Sequence, residues 1–219
     1  MSSRQKTSAP PRPAPRLYLV TPAIEDADAF APTLEAALAA ADVAAVLLRL
    51  APAGESTLIR RAKVLAPLVQ KADAAAILDG HPDLAARCGA DGAHLTGIAT
   101  FEDAVETLKP ARIAGAGGLA TRHDAMQAAE RGADYVLFGG TDKTGQPPAF
   151  DLVIERIGWW AEVFEIPCVG LAAHHDEIAP LLAAGADFIA IGDWIWSDAR
   201  GPALAITAAS RVLAAEPTA

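Results

Sequence analysis

GADYVLFGG, residues 132–140, decides the fold. A glycine able to take the left-handed conformation closes a helix-forming stretch, an aspartate follows, and four apolar residues run on without polar interruption. An unbroken apolar run of that length suits a strand buried on both faces, because a strand with one wet face alternates. The arrangement returns in GADFIAIG at 185–192 and in GADGAHL at 89–95. Each triplet is read as a left-handed helix cap followed by an aspartate at the polar mouth of the next strand. Repeated βα units produce that regularity.

Working outward, short apolar runs at 17–20, 44–48, 74–78, 92–95, 112–115, 135–138, 167–171 and 188–191 alternate with amphipathic stretches. One of these, 56–71, carries Leu58, Ala62, Leu65 and Val69 on a single helical stripe. Another, 121–131, opens on a capping threonine and is closed by Gly132. Eight such units predict a single α/β domain, a (β/α)8 TIM barrel over residues 16–219. The competing doubly wound sheet calls for a glycine-rich nucleotide turn after its first strand, and Val20-Thr21-Pro22 is not one. Residues 1–15, rich in Pro and Ser and lacking an apolar signal region, are expected to form a disordered tail.

In 219 residues, 52% are apolar and only 5% aromatic, so the core must be built from Ala, Val, Leu and Ile. A net charge of −9 with scattered cations argues against nucleic acid or an anionic membrane as partner, since either needs a concentrated basic face. No apolar run approaches the ~18 residues of a membrane span. Cys88 and Cys168 have no paired spacing and are expected to be reduced core thiols in a cytoplasmic protein.

Six fragments in register resemble the thiamine phosphate synthase and thiazole tautomerase superfamily. They are LYLVTP at 17–22, VLLRL at 46–50, GADGAHL at 89–95, GADYVLFGG at 132–140, IPCVGLAA at 166–173 and GADFIAIGDWI at 185–195. The resemblance implies a thiamine-biosynthesis transferase that joins hydroxymethylpyrimidine diphosphate to thiazole phosphate and expels pyrophosphate with the help of Mg2+. That chemistry asks for carboxylates on the ion, cationic and hydroxyl donors on the diphosphate, and a phosphate cradle after the last two strands.

Against that pattern the chain departs repeatedly. The second strand of the family ends in alternating Gln, Arg and Lys; here the positions are Leu47, Arg49 and Ala51. Arg49 is read either as an anion ligand at the barrel mouth or as a rim arginine paired with a carboxylate. The Asn-Asp after the third strand becomes Asp79-Gly80, followed by His81, so Asp79 is the candidate magnesium ligand if one residue is inserted. After the fourth strand, where a second ligand belongs, the sequence His94-Leu95-Thr96-Gly97-Ile98-Ala99 has no carboxylate. A lone aspartate makes a poor magnesium site. Gly117 and Gly118 stand where the family has a serine, and their amides could cradle an anion. After the sixth strand Thr144 matches and Lys143 is a substitute for a lost lysine. The phosphate cradle reads Ala172-Ala173 in place of Gly-Gly and Gly192-Asp193 in place of Val-Ser. A carboxylate about 4 Å from a phosphate repels it by roughly 4 kcal/mol per unit charge at an effective dielectric near 20, which erases most of a micromolar affinity for a dianion. Thr21, at the end of the first strand, completes the ligand-facing candidates.

The tautomerases use a histidine whose position here is Ala120, with His123 the nearest imidazole. His94 is expected to be an oriented core or rim histidine. Asp79, His81, Asp142, His174, His175 and Asp193 could instead meet at the mouth around a transition metal or cation, or simply face water. Trp194 and Trp196 are candidates to wall a pocket for an aromatic ring, and Trp159 and Trp160 to mark a homodimer contact. The expectation is a thiamine phosphate synthase-like protein whose condensation activity is weak or lost. The alternatives are a non-catalytic protein that binds a small phosphorylated or aromatic heterocycle, or an isomerase on a rearranged mouth.

Overall fold

The computed structural model describes residues 13–141 and 145–215. Asp142, Lys143 and Thr144 lie outside the described residues, as does most of the expected tail. Eight parallel strands close into a barrel in chain order: β1 (Arg16–Val20), β2 (Val43–Leu48), β3 (Ala75–Asp79), β4 (Gly92–Thr96), β5 (Ile113–Gly117), β6 (Tyr135–Phe138), β7 (Cys168–Ala172) and β8 (Phe188–Ile191). Each predicted apolar run is one of these strands, displaced by a residue or two at most.

Helices α1 (Ala27–Leu38), α2 (Glu55–Lys71), α3 (Pro82–Cys88), α4 (Ile98–Leu108), α5 (Arg122–Glu130), α6 (Phe150–Val163) and α7 (Ile178–Ala183) follow the first seven strands in turn. After β8 come a four-residue turn of helix, α8 (Asp193–Trp196), and the closing α9 (Pro202–Ala215). On α2 the predicted stripe is the buried face: Leu58, Ala62, Leu65 and Val69 pack on the sheet, with Ala66 beside them. At the start of α5 the Thr121 hydroxyl accepts from the Asp124 amide at 3.0 Å, and the Asp124 carboxylate accepts from the Thr121 amide at 3.1 Å.

The three triplets mark the opposite end of the barrel from the one expected. Gly89, Gly132 and Gly185 do take left-handed backbone angles at the helix ends. The aspartates that follow, however, lie at the N-terminal ends of the strands. The Asp91, Asp134 and Asp187 carboxylates accept from the amides of Ala76, Ala114 and Cys168 at 2.7, 2.7 and 2.8 Å. The backbone amide of each aspartate donates to the carbonyl of the same residue, at 2.9, 2.9 and 3.0 Å. Each aspartate therefore fastens the floor of its own strand to that of the preceding one. Floor positions of this fold serve stability, and the mouth serves ligands.

The core has two layers. Outward-facing strand residues and the helices enclose one apolar cluster; Tyr18, Leu47, Ile77, Tyr135, Leu137, Val169 and Ala190 fill the barrel itself. Among the inward residues runs a polar chain. The Tyr18 and Tyr135 hydroxyls are 2.8 Å apart, and the Tyr135 hydroxyl is 3.0 Å from His94 Nδ1. The Tyr135 and His94 rings need glycines opposite them. A Cβ on Gly115 would stand 2.1 Å from Tyr135 Cζ, and one on Gly117 2.4 Å from His94 Nε2. Cys88 and Cys168 are both buried.

Candidate functional site

Arg49 is the first residue past β2, and its backbone is held on both sides. Its amide donates to Thr21 Oγ1 at 3.0 Å, and its carbonyl accepts from Ile24 at 2.8 Å. The guanidinium is thereby carried over the C-terminal mouth. There Nη1 meets Asp193 Oδ1 at 3.3 Å and Nε lies 4.0 Å from Asp79 Oδ2. Of the two sequence readings, the rim arginine paired with carboxylates is the arrangement found.

Asp79 ends β3 on the same face as Ala75 and Ile77, which alternation turns into the barrel. Gly80 follows in a left-handed conformation, and its amide donates to the His94 carbonyl at 2.9 Å. Asp79, not Gly80, is thus the residue at the mouth. Asp193 is delivered by α8, which two indoles pin to the strand ends: Trp194 Nε1 donates to the Ala172 carbonyl at 3.1 Å and Trp196 Nε1 to the Val20 carbonyl at 2.7 Å. The tryptophans expected to wall a ring pocket are therefore fasteners, with Trp196 also packed on Phe30 at 5.3 Å between ring centroids.

Several expected ligand contacts have other work. Thr21 is fully buried and spends its hydroxyl on the Arg49 amide, so it joins β1 to β2 and is closed to a ligand. Ala172 is buried and gives its carbonyl to Trp194. Ala173 is exposed, but its amide donates to Glu177 Oε2 at 2.6 Å, and the His174 amide donates to the same oxygen at 3.3 Å. The chain's own carboxylate thus holds the amides after β7. Gly117 is packed against His94, and a Cβ on Gly118 would meet Thr96 Cγ2 at 2.6 Å. These glycines make room for neighbours. Gly192 is buried immediately before α8. Leu47, in the place of the family's glutamine, is inside the barrel, and Ala51 is buried with its carbonyl accepting from Arg61 at 2.7 Å.

The histidines do not converge. His81 stands immediately before α3 without a side-chain bond to the helix, His123 is exposed on α5, and His174 and His175 are exposed after β7, His175 lying edge-on to Trp194. Among the described residues no three His, Cys, Asp or Glu side chains are grouped to hold an ion. Trp160 is wholly buried with its indole donating to the Ile166 carbonyl at 2.7 Å, whereas Trp159 is half-buried with Arg122 over its ring at 4.8 Å.

The sequence reading missed the tyrosine chain and Glu177. The signal for the first was available: Tyr18, His94 and Tyr135 share the inward parity of their strands. For the second it was the spacing of a capping residue and a glutamate three positions on. Burial pushes the His94 imidazole down to about 4, against the pull of Asp79, which favours the proton. Burial also pushes both tyrosine hydroxyls up. With His94 neutral, one direction of bonding uses every hydroxyl proton: Tyr18 donates to Tyr135, and Tyr135 donates to Nδ1. Nε2 then carries the remaining proton, against Gly117 at the mouth end of β5.

A hollow of about 210 Å³ opens at the C-terminal ends of β5 and β6, between Gly118, Leu119, Phe138, Gly139, Pro147 and Arg156. Arg156 donates to the Leu119 and Ala120 carbonyls at 3.1 and 2.6 Å, which fixes the loop beside the hollow.

Fold and mouth together define a (β/α)8 barrel with Arg49, Asp79 and Asp193 brought together at its C-terminal rim. The family model for thiamine monophosphate synthase matches residues 17–195. A thiamine-phosphate synthase of Rhodospirillum centenum is 46% identical over 201 residues, covering 90% of this chain and 97% of the relative. One of Hyphomonas neptunium is 37% identical over 214 residues, covering 92% and 95%. The chain belongs to the thiamine monophosphate synthase family. In structure it is similar to thiamine phosphate pyrophosphorylase from Pyrococcus furiosus, with a TM-score of 0.75 at 23% identity over 91% of this chain and 95% of that one.

The family implies Mg2+, an ion that demands near-octahedral oxygen ligation. Here Asp79 stands beside a guanidinium, and the position after β4 offers Ile98 and Ala99. The described residues do not fit a magnesium site.

Proposed function

We propose that this chain holds a small aromatic heterocycle related to the family's substrates at the C-terminal mouth, and that condensation there is weak or lost. The observation that carries this reading is the state of Arg49. It is what remains of the family's second-strand polar set, and its charge is already answered by Asp79 and Asp193. A diphosphate leaving group needs concentrated positive charge where its own charge develops, and among the described residues this point of the rim offers one guanidinium, already shared with two carboxylates. The amides after β7 are likewise taken by Glu177. The hollow beside β5 and β6, lined mainly by apolar residues and Arg156, has room for one ring and supports binding of a heterocycle.

A second reading, a working synthase with Mg2+ brought in on its substrate, is favoured by the 46% identity to a named synthase across nearly its whole length. The isomerase reading loses support, because His123 faces solvent and His94 Nδ1 is committed to Tyr135. Calorimetric titration with the pyrimidine diphosphate and the thiazole phosphate separately, followed by chromatography of the mixture, separates the first two. Heat of binding from at least one precursor without thiamine phosphate is the expected result. Product at rates well above background rejects the proposal in favour of the synthase, and no binding of either precursor rejects the ligand reading itself.

A further inference from the structure

We propose that Asp193 is a built-in counter-ion for Arg49, and that an anion enters this mouth by displacing it, without a divalent cation. The inference rests on the reading of the mouth as a ligand site. Asp193 reaches Arg49 by design of the backbone: α8 is a single turn, and its two indole anchors on Val20 and Ala172 leave the first residue of the turn projecting over β2. Its side chain is 81% exposed and, among the described residues, is held by one ion pair, 3.3 Å to Nη1. An exposed pair held by one such bond is weak. A phosphoryl group carries more charge and can accept two parallel N–H bonds from the guanidinium fork, so it exchanges favourably with a singly bonded carboxylate. Asp79 differs. It ends a strand, approaches Nε from the barrel side, and is only 36% exposed, so it stays in place when Asp193 leaves.

The same geometry excludes a shared ion. A magnesium on Asp79 would stand beside a guanidinium 4.0 Å from the carboxylate, with no second acidic ligand after β4 to offset the repulsion of like charges. Among the described residues Arg49 therefore supplies the positive charge at this point of the mouth, and Asp193 sets the threshold an incoming anion must exceed. Asp193 is a specificity-determining residue: a neutral heterocycle leaves the pair intact, and only a strongly charged end opens it.

The test is calorimetry of the full chain with inorganic pyrophosphate, once in EDTA and once in Mg2+, corrected for the magnesium–pyrophosphate complex in solution. The wild type should bind with the same affinity in both within about twofold. Asp193→Asn should bind at least tenfold tighter, and Arg49→Gln should lose binding. Both variants are at the exposed rim, and unchanged thermal melting verifies their folding. A requirement for Mg2+, equal affinities in the wild type and Asp193→Asn, or no binding by any of the three proteins overturns the proposal. Precursor titrations that fail while pyrophosphate follows this pattern sink the heterocycle reading and leave the counter-ion standing.

Discussion

His94 is the residue whose chemistry is most altered by its place in the barrel. Its imidazole is buried, bonded through Nδ1 to Tyr135 and held near a pKa of 4, against about 6.5 when unfolded. Between those two values the unfolded chain binds the proton and the folded chain does not, so the His94 contribution lowers stability as pH drops from about 6.5 to 4 and is complete below. Melting temperatures measured across that interval should show the decline, and His94→Gln, which has no proton to take up, should flatten it. An unchanged slope in the variant would mean that other groups carry the acid sensitivity. The hydroxyls beside it differ in consequence. Tyr135→Phe strands both Tyr18 and His94, with an expected cost of about 1–3 kcal/mol in denaturant unfolding, whereas Tyr18→Phe removes only the end of the chain and should cost less. Gly117→Ala drives a methyl into the imidazole and should cost about 1–3 kcal/mol through overpacking.

At the scale of elements, the barrel is closed from below by aspartates. Asp91, Asp134 and Asp187 each accept from an amide of the neighbouring strand, and the removal of one leaves a partly buried donor unpaired. Alanine at any of these three positions should lower stability by about 1–3 kcal/mol. Asp42→Ala, which breaks only a surface pair with Arg16, should cost less than about 1 kcal/mol. Urea unfolding midpoints rank the four variants, and equal losses would contradict the distinction. The strands and this repeat were readable in sequence because burial on both faces leaves long apolar runs and a helix end leaves a glycine. Which end the aspartates occupy follows from order as well, because a residue that opens a strand after a helix lies at the N-terminal floor of a parallel barrel. Which amide each one holds was not readable, since that depends on the register between strands.

For the whole molecule, the barrel and its family were legible because eight units in order leave six recognisable fragments. The mouth was legible residue by residue but not as an assembly. Arg49, Asp79 and Asp193 were each singled out, yet they lie 30 and 114 positions apart in the chain, and nothing local says that β2, β3 and α8 bring them to one point. The tyrosine chain and Glu177 were different: strand parity marked the first, and the second lies within four residues of the amides it holds, so both left a signal in the sequence. What results is a family fold whose rim satisfies its own charges: Asp79 and Asp193 on Arg49, Glu177 on the amides after β7. A single-turnover experiment probes that claim directly, with the protein in excess over pyrimidine diphosphate, saturating thiazole phosphate and Mg2+, and pyrophosphate release followed in time. Release no faster than in the absence of protein is the predicted result. A stoichiometric burst of pyrophosphate with matching thiamine phosphate would show that the rim still serves the reaction, and would contradict the account.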